Sequence, residues 1–389
     1  MNILWIGSIA WSNDDKFDWP VDGAGAISGS LFEKNMICGL EENGCNVNII
    51  NSYPYLVKEK RNGYEWHHNS SSIDFCIGTK KNKYSNLLYE KKALIRYLKT
   101  IDLFKFDAVI VYLVHTPYLC AIKYVKKINK KIKTILICPD LANMMDLGSN
   151  IVKKIAKKFE LVLQKKLHYY VDKYVLFSDY MVEKLPLGHK PYIVIEGVNS
   201  IDKIDFLSKD SNKYIIMYAG SLQKNFGLEN LLDAFMGLSL KNIELHIYGN
   251  GVLDTYIKRQ SLIDKRIKFF GFVNHQIVLN AEKTADLLVN VRNPNESFTK
   301  YSFPSKTFEY MMSGTPFLTT RLKGIPNEYY NFLYVIDDNE VSTIKKAIEN
   351  IYNTNTKLIN KKIIEGVEFL LNKKNRVVQS RKLISFIKG

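Results

Sequence analysis

The sequence predicts an α/β protein with two doubly wound, Rossmann-like domains, each built on a parallel sheet, facing a common cleft. Short apolar runs alternate with amphipathic helical segments through most of the 389 residues, as in parallel strands joined by crossover helices. A polar stretch, NSIDKIDFLSKDSN, interrupts the pattern, which restarts at YIIMYAG. The length also favours two domains. The predicted divisions are a first domain (1–198), a linker (199–212), a second domain (213–368) and a C-terminal helix crossing back to the first domain (369–389).

Apolar runs of five to eight residues mark the expected buried strands. In the first domain they are 3–7, 46–50, 108–114, 134–138, 174–178 and 192–197, and in the second 214–220, 244–249, 266–273 and 286–291. The helix after 214–220 carries an apolar stripe at i, i+3, i+4 and i+7, namely Leu228, Leu231, Leu232 and Phe235. Because ligands bind outside the carboxyl ends of parallel strands, the cleft between the domains is the expected site.

Composition is that of a folded protein, with 46% apolar and 24% charged residues. The five cysteines show no zinc-ligand spacing, so we expect reduced core thiols in a cytoplasmic protein. The N-terminal segment lacks the positive flank of a signal peptide. No apolar run approaches the roughly 18 residues of a membrane span.

The net charge of +16 indicates an anionic partner. Much of this positive charge lies in one region of the chain. Between Cys120 and Val175 there are 13 lysines against 4 acids. One segment there, NIVKKIAKKFELVLQKKLHYY, has apolar residues at helical spacing, with lysine pairs between them. These are Ile151, Ile155, Phe159 and Val162, with Lys153, Lys154, Lys157, Lys158, Lys165 and Lys166. The helix either packs its apolar stripe on its own domain or rests on an anionic membrane surface. Nucleic acid is disfavoured, since no recognition motif accompanies the charge.

The stretch YSFPSKTFEYMMSGTPFL concentrates the chemistry of the second domain. Pro304 suits the first helical position, which leaves the backbone N–H groups of Ser305 and Lys306 available to a phosphate. Lys306 adds a positive charge, and Glu309, one turn later, can accept hydrogen bonds from two sugar hydroxyls. This arrangement is the outline of a nucleotide-sugar site. The alternative is a capped helix with a Lys306–Glu309 surface pair, worth only a few tenths of a kcal/mol.

Two features of the first domain complete the predicted site. The glycines near GAGAISG are spaced too widely and lie too far from the first strand for a dinucleotide fingerprint. Gly25, Ala26 and Ile27 instead suggest a flexible loop at the cleft, or an ordinary surface loop. Asp140 follows the strand TILIC, where it either orients an acceptor hydroxyl or caps the next helix. His115, also at a strand end, is a minor candidate.

The second half resembles the family-4 retaining glycosyltransferases of the GT-B fold, particularly the branch found with bacterial capsule and exopolysaccharide synthesis. Four segments carry the resemblance in order over roughly 213–330: YAGSLQKNFGLENLLDAF, ELHIYGNG, RIKFFGFVNHQIVLNAEKTADLLVNVR and SFPSKTFEYMMSGTPFLTTRLKGIPNEY. The first half matches more loosely, through GAISGSLFEKNMICGL, the CPDL around Asp140, and FSDYMVEKL with KPYIVIEGV. The resemblance makes the first domain the acceptor domain and the second the donor domain.

The resemblance also implies roles for individual residues. Glu309 would bind the ribose, and the backbone of Ser305 and Lys306 would hold the diphosphate. Gly249, Asn250, Gly251, Phe272 and Val273 would lie near the base. The other members of the predicted donor-binding set are Gly220, Ser221, Glu296, Tyr301, Phe303 and Pro304.

This chain departs from the family pattern at three positions. The family's first glutamate, eight residues before the ribose-binding one, is replaced by Tyr301, and Glu296 is a candidate substitute. The usual arginine and lysine after the strand at 214–220 are replaced by Ser221 and Phe226. Unpaired charge would make the diphosphate a poor leaving group. Arg292 and Lys306 are the candidates to replace the two cations, with Lys224 a weaker one.

We therefore expect a hexosyltransferase-type enzyme that transfers a sugar, with retention, from a UDP-linked donor to a lipid-linked or growing surface polysaccharide. No DxD motif is present, and cationic side chains can neutralise the diphosphate, so neither a metal nor a further cofactor is expected. The resemblance implies front-face transfer, with Lys306, Arg292 and Asp140 as the catalytic residues. The protein would be cytoplasmic and peripheral at the inner membrane face. The alternatives are a nucleotide-sugar epimerase of the same fold and a catalytically silent partner subunit.

Overall fold

The computed structural model describes residues 1–9, 24–52, 62–78, 83–141, 151–199 and 212–389, with the backbone alone at 24–28, 83–85 and 151–156. The chain forms two compact units. Unit 1 comprises residues 1–200 together with 374–389, and unit 2 comprises 201–373. The predicted linker, apart from its two end residues, lies outside the described residues.

The described chain contains fourteen strands. They are β1 (Asn2–Gly7), β2 (Asn46–Ser52), β3 (Tyr64–Trp66), β4 (Asp74–Ile77), β5 (Ala108–Tyr112), β6 (Lys133–Cys138), β7 (Lys173–Leu176), β8 (Tyr192–Val194), β9 (Tyr214–Ala219), β10 (Ile243–Tyr248), β11 (Ile267–Gly271), β12 (Leu287–Asn290), β13 (Phe317–Thr320) and β14 (Tyr334–Ile336). Every strand predicted from an apolar run is present. The other four strands, β3, β4, β13 and β14, do not correspond to any of those runs.

Eleven α-helices accompany these strands in the described residues. They are α1 (Ala24–Glu42), α2 (Lys83–Leu98), α3 (Thr116–Ile128), α4 (Ile151–Leu167), α5 (Leu228–Met236), α6 (Asp254–Ile263), α7 (His275–Thr284), α8 (Lys306–Met312), α9 (Val341–Tyr352), α10 (Thr356–Lys373) and α11 (Arg376–Lys388). None of the described helices is long and apolar enough to cross a membrane. The five cysteines are free, and four are buried, in agreement with the prediction of core thiols.

Unit 1 is built on a sheet with the described strand order β3-β4-β2-β1-β5-β6-β7-β8. Each neighbouring pair is parallel except β3 and β4. The central strand β1 runs in register with β2 from Asn2 opposite Asn46 to Gly7 opposite Asn51. Its residues Ile3 and Trp5 are fully buried in the core. The parallel order places the ends of β1, β5 and β6 at one edge of the sheet.

The C-terminal helix α11 is part of unit 1 because it packs closely on α1. The contact is made at Gly39, where a Cβ atom would lie 2.2 Å from the carbonyl oxygen of Arg376. Nearby, Nδ2 of Asn43 donates to the carbonyl of Val377 at 2.9 Å, and Arg376 pairs with Glu42 at 2.5 Å. A glycine at position 39 therefore lets the two helix backbones approach each other.

Unit 2 has a parallel sheet in the order β11-β10-β9-β12-β13-β14. The apolar stripe predicted on α5 is confirmed, since all four of its members are buried in the core of this unit. The carboxyl ends of β9, β10, β11 and β12 lie side by side at one edge, and the loops that follow them form the surface described next.

Candidate functional site

Glycine residues bring three loops together at the carboxyl edge of the unit 2 sheet. The N–H of Gly220 donates to the carbonyl of Tyr248 at 3.0 Å, and that of Gly249 donates to Gly271 at 2.8 Å. A Cβ atom at Gly249 would lie 1.8 Å from the carbonyl oxygen of Gly220, and the φ of Gly249 is +134°. Gly251 is similarly close to Leu222, with 2.5 Å to its carbonyl oxygen. The predicted glycines therefore form one surface on which backbone is accessible.

Helix α8 begins two residues later than predicted. The helix starts at Lys306, and Ser305 precedes it with helical dihedral angles. The first hydrogen bond of this turn runs from the N–H of Thr307 to the carbonyl of Pro304 at 2.8 Å. Pro304 thus acts before the helix, as the acceptor of its first hydrogen bond, and not as its first residue.

Lys306 lies between two carboxylates. Its Nζ atom is 3.0 Å from Oε1 of Glu282 on α7, and it also pairs with Glu309 one turn ahead. Glu309 is in turn 3.2 Å from Nε2 of His275. The side chains of Lys306 and Glu309 are only 20% and 23% exposed. The Lys306–Glu309 pair exists, but it is enclosed by protein and is not a surface pair.

The environment keeps Glu309 ionised. Burial acts to raise the pKa of Glu309, but the hydrogen bond from His275 and the charge of Lys306 outweigh burial and lower the pKa to about 2. For Lys306, burial acts to lower the pKa, and the two neighbouring glutamates more than compensate, so its pKa is raised. A carboxylate accepts hydrogen bonds with both oxygens, so Glu309 has the chemistry needed to bind a diol.

Glu282 is a site residue that sequence reasoning missed. It lies near the end of α7, with a fully buried side chain. In the sequence it precedes Lys283 within the polar segment AEKT, which is typical of an exposed helix end. No local signal indicated that this glutamate faces Lys306 in the interior.

Arg292 follows β12 and supplies a cation at the same sheet edge. Its guanidinium lies 4.2 Å from the centroid of the Phe226 ring, the residue that replaces the expected lysine. Within the described part of the chain, Nε of Arg292 has no hydrogen-bond partner, and no carboxylate acts on its pKa. Burial lowers the pKa of Arg292, but arginine stays protonated in proteins. The guanidinium is therefore a charged donor without a counter-ion among the described residues.

Tyr310 connects helix α8, which carries Lys306 and Glu309, to the end of strand β9. Its buried hydroxyl accepts a hydrogen bond from the N–H of Ala219 at 2.8 Å and donates to the carbonyl of Ala219 at 3.1 Å. Burial raises the pKa of this phenol, and both Glu282 and Arg292 are near enough to interact with it electrostatically. Tyr310 thus ties α8 to the end of β9.

Other predicted donor residues differ in their surroundings. Tyr301 is buried, with Nζ of Lys300 5.5 Å from its ring centroid. Phe303 packs in an aromatic cluster with Phe308 and Tyr329.

Glu296 precedes a short 3-10 helix, and no described contact joins it to Lys306 or Glu309. Ser221, Asn250, Phe272 and the weaker cation candidate Lys224 are exposed, and Val273 is half-buried.

In unit 1, the structure modifies two predictions. Gly25, Ala26 and Ile27 lie in the first turns of α1 and not in a loop. A glycine costs a helix only about 1 kcal/mol, and no proline interrupts this segment. Asp140 lies just beyond β6 and has a solvent-exposed surface. Desolvation of its carboxyl group by the neighbouring protein raises the pKa of Asp140. The helix-capping alternative for Asp140 involves residues 142–150, which lie outside the described residues.

His115 has an identified partner. Its Nε2 atom lies 2.9 Å from Oε2 of Glu90, and its ring makes an edge contact with Tyr118 at 4.8 Å. These contacts are structural, and His115 stays a minor candidate at the end of β5.

Solved structures with the same architecture define the fold as GT-B. Sucrose-phosphate synthase from Thermosynechococcus elongatus superposes with a TM-score of 0.70 at 12% identity, covering 100% of this chain and 99% of that one. A UDP-forming α,α-trehalose-phosphate synthase from Burkholderia xenovorans, in complex with glucose-6-phosphate, gives 0.68 at 10% identity over 100% of both chains. The Anabaena protein HepE in complex with UDP gives 0.62 at 13% identity, covering 99% of each chain.

The sequence comparison is more specific for unit 2. Residues 213–354 match the family described as Glycosyl transferases group 1. All predicted donor-binding residues, from Gly220 to Glu309, lie inside this segment, as does Glu282. Over residues 213–354, unit 2 is therefore similar to a glycosyltransferase group 1 domain. A search of curated proteins finds no match to the chain.

Proposed function

We propose that this protein is a retaining hexosyltransferase that transfers a sugar from a UDP-sugar to a lipid-linked or growing surface polysaccharide of the capsule or exopolysaccharide type. Two charged groups at the carboxyl edge of one sheet carry the proposal. One is the ionised Glu309, and the other is Arg292, which has no counter-ion among the described residues. The first suits the ribose diol of a nucleotide, and the second suits its diphosphate. The UDP in the complex of the Anabaena protein supports the choice of base.

The chemistry requires charge stabilisation on the leaving diphosphate. In front-face transfer the departing phosphate oxygen takes the proton of the acceptor hydroxyl, and the new glycosidic bond forms on the face from which the diphosphate leaves. Arg292, and the backbone groups at Ser305 and Lys306, would stabilise the growing negative charge without a metal or another cofactor. Asp140 of unit 1 would orient the acceptor hydroxyl.

A panel of radiolabelled nucleotide-sugars tests the proposal. We expect slow hydrolysis of one UDP-sugar by the protein alone, and faster consumption when a polyprenyl-linked saccharide is added. Glucose-6-phosphate serves as the comparison acceptor, because a structural neighbour binds it. Transfer to glucose-6-phosphate alone would overturn the acceptor assignment. An isomerised sugar nucleotide would indicate the epimerase, and UDP binding without turnover of any donor would indicate the silent partner.

The exposed face of α4 supports a second part of the proposal, attachment to an anionic membrane. Phe159 is 73% exposed and Val162 is 52% exposed, so neither packs on the domain, while Ile151 and Ile155 have no described side chains. The inner face of α4 instead holds Gln164, whose Nε2 donates to Thr116 of α3 at 3.0 Å. The outward face also carries Leu163 and three exposed lysines, Lys158, Lys165 and Lys166.

We expect reversible, salt-sensitive binding of this face to anionic vesicles. Each lysine near such a surface contributes about 1 kcal/mol, so three contribute on the order of 3 kcal/mol, less the screening over a Debye length of about 8 Å. Sedimentation with vesicles that contain or lack phosphatidylserine, at low and high salt, measures the effect. Changing Lys158, Lys165 and Lys166 to glutamate should abolish it. The charge-matched control changes the exposed Lys346, Lys357 and Lys373 of α9 and α10. Equal loss in both variants would refute docking through α4.

A further inference from the structure

Glu282 is buried in surroundings that disfavour the ionised form of its carboxyl group. Its side chain has no exposed surface, and Oε1 receives its hydrogen bond from Lys306 at 3.0 Å. The second oxygen, Oε2, receives no hydrogen bond from any described donor. A buried charged oxygen without a donor costs free energy, because the water that solvated it in the unfolded chain is not replaced.

A second carboxyl group lies beside this one. The carboxyl groups of Glu282 and Glu309 both contact the same ammonium group, that of Lys306, which therefore holds them close to each other. Two ionised carboxylates at that separation repel, and a single proton held between them converts the repulsion into a hydrogen bond. The titratable groups that face Glu282 are Lys306, Glu309 and Tyr310 of α8 and, through Glu309, His275 of α7.

We propose that Glu282 is a positioning residue that holds a proton, donates it in a hydrogen bond to Glu309, and thereby fixes Glu309 and Lys306 in the geometry that binds a nucleoside diphosphate. This inference rests on the proposed function of the same site. Burial raises the pKa of Glu282 well above its ordinary value, and the nearby charge of Lys306 only partly opposes burial.

The protonation state also sets the charge that the site presents to an anionic ligand. Lys306 and an ionised Glu309 cancel each other, so a neutral Glu282 leaves these three side chains without net charge. An ionised Glu282 would add one negative charge beside the predicted diphosphate and repel it. The proton on Glu282 therefore serves both to hold Glu309 in place and to remove that repulsion.

The substitution Glu282→Gln tests this arrangement directly. A glutamine amide can accept from Lys306 with its oxygen and donate to Glu309 with its nitrogen, as a protonated glutamate does. We expect UDP affinity in Glu282→Gln to stay within about twofold of the wild type, and in Glu282→Ala to fall at least about tenfold. Calorimetric titration with UDP measures both. If Glu282→Gln loses as much affinity as Glu282→Ala, or if neither loses any, the proposal is wrong.

Infrared difference spectroscopy supplies a readout that a merely structural role would not change. The spectrum of the wild type minus the spectrum of Glu282→Gln, both taken at neutral pH, should contain the carbonyl band of a protonated carboxylic acid. The control is Glu244→Gln, because Glu244 pairs with Lys213 and His246 and its pKa is lowered. That variant should remove no acid band and leave UDP affinity unchanged. Absence of the acid band from the Glu282 spectrum would overturn the proposal even if Glu282→Ala failed to fold.

The two levels of inference fail in distinguishable ways. If the wild-type protein binds no nucleoside diphosphate but shows the acid band, the proposed function is wrong, while the conclusion that Glu282 is protonated still holds. A wild-type protein that binds UDP but lacks the band would retain the proposed function and refute the role of Glu282.

Discussion

Glu309→Ala should weaken UDP binding by at least about a hundredfold. Two hydrogen bonds from ribose hydroxyls to a carboxylate contribute roughly 1.5–3 kcal/mol each, and about 3 kcal/mol in total already corresponds to a factor of more than one hundred. The effect should appear in the dissociation constant from calorimetry. Because the pKa of Glu309 is about 2, mildly acidic solution should not reproduce it.

Two controls separate ligand binding from damage to the fold. Glu368→Ala removes an exposed acid from α10 and should leave UDP affinity unchanged. Glu309→Gln keeps the shape and part of the hydrogen bonding but removes the charge, so its affinity should be intermediate. Thermal melting identifies any variant in which the loss of the Lys306–Glu309 pair destabilises unit 2. A folded Glu309→Ala protein with wild-type UDP affinity would disprove the ribose assignment.

Arg292→Ala should lower kcat by about one hundred- to one thousandfold, with a smaller effect on donor affinity. Negative charge on the diphosphate grows as the glycosidic bond breaks, so a cation there acts mainly in the transition state. Removal of one preorganised donor of this kind costs about 10²–10³ in kcat. Steady-state kinetics with the sugar nucleotide identified in the panel separates kcat from KM.

A matched arginine outside the site makes this measurement specific. Arg321 also lies on an aromatic ring, with its guanidinium 4.8 Å from the centroid of Tyr330, so Arg321→Ala controls for loss of the stacking contact. Arg292→Lys should restore only part of the activity, because lysine cannot provide the planar, bidentate fork of arginine. If Arg292→Ala raises KM and leaves kcat unchanged, Arg292 only binds the donor. We expect Lys306→Ala also to reduce turnover, but Glu309 already compensates the charge of Lys306, which makes Arg292 the cleaner test.

Much of the architecture could be predicted from local patterns. Buried parallel strands appear as short apolar runs, and the stripe on α5 follows the helical repeat, so both were found without knowledge of tertiary contacts. The strands β3, β4 and β14 are three or four residues long. A pattern of that length cannot be distinguished from a loop. These strands form because they pair with a neighbouring strand, and that pairing is not visible in the local sequence.

Two features of the site follow from local sequence: Lys306 and Glu309 lie one helical turn apart, and glycines follow the strands β9 and β10. Both relations depend only on spacing and backbone conformation. Tertiary structure alone decided that Glu282 of α7 lies beside Lys306, and that Arg292 lies on Phe226. It also decided that Phe159 and Val162 face outward, since a helical repeat is the same whether its stripe meets a core or a membrane. Contacts between residues far apart in the chain depend on how helices pack on a sheet, and periodicity within one segment carries no information about that packing.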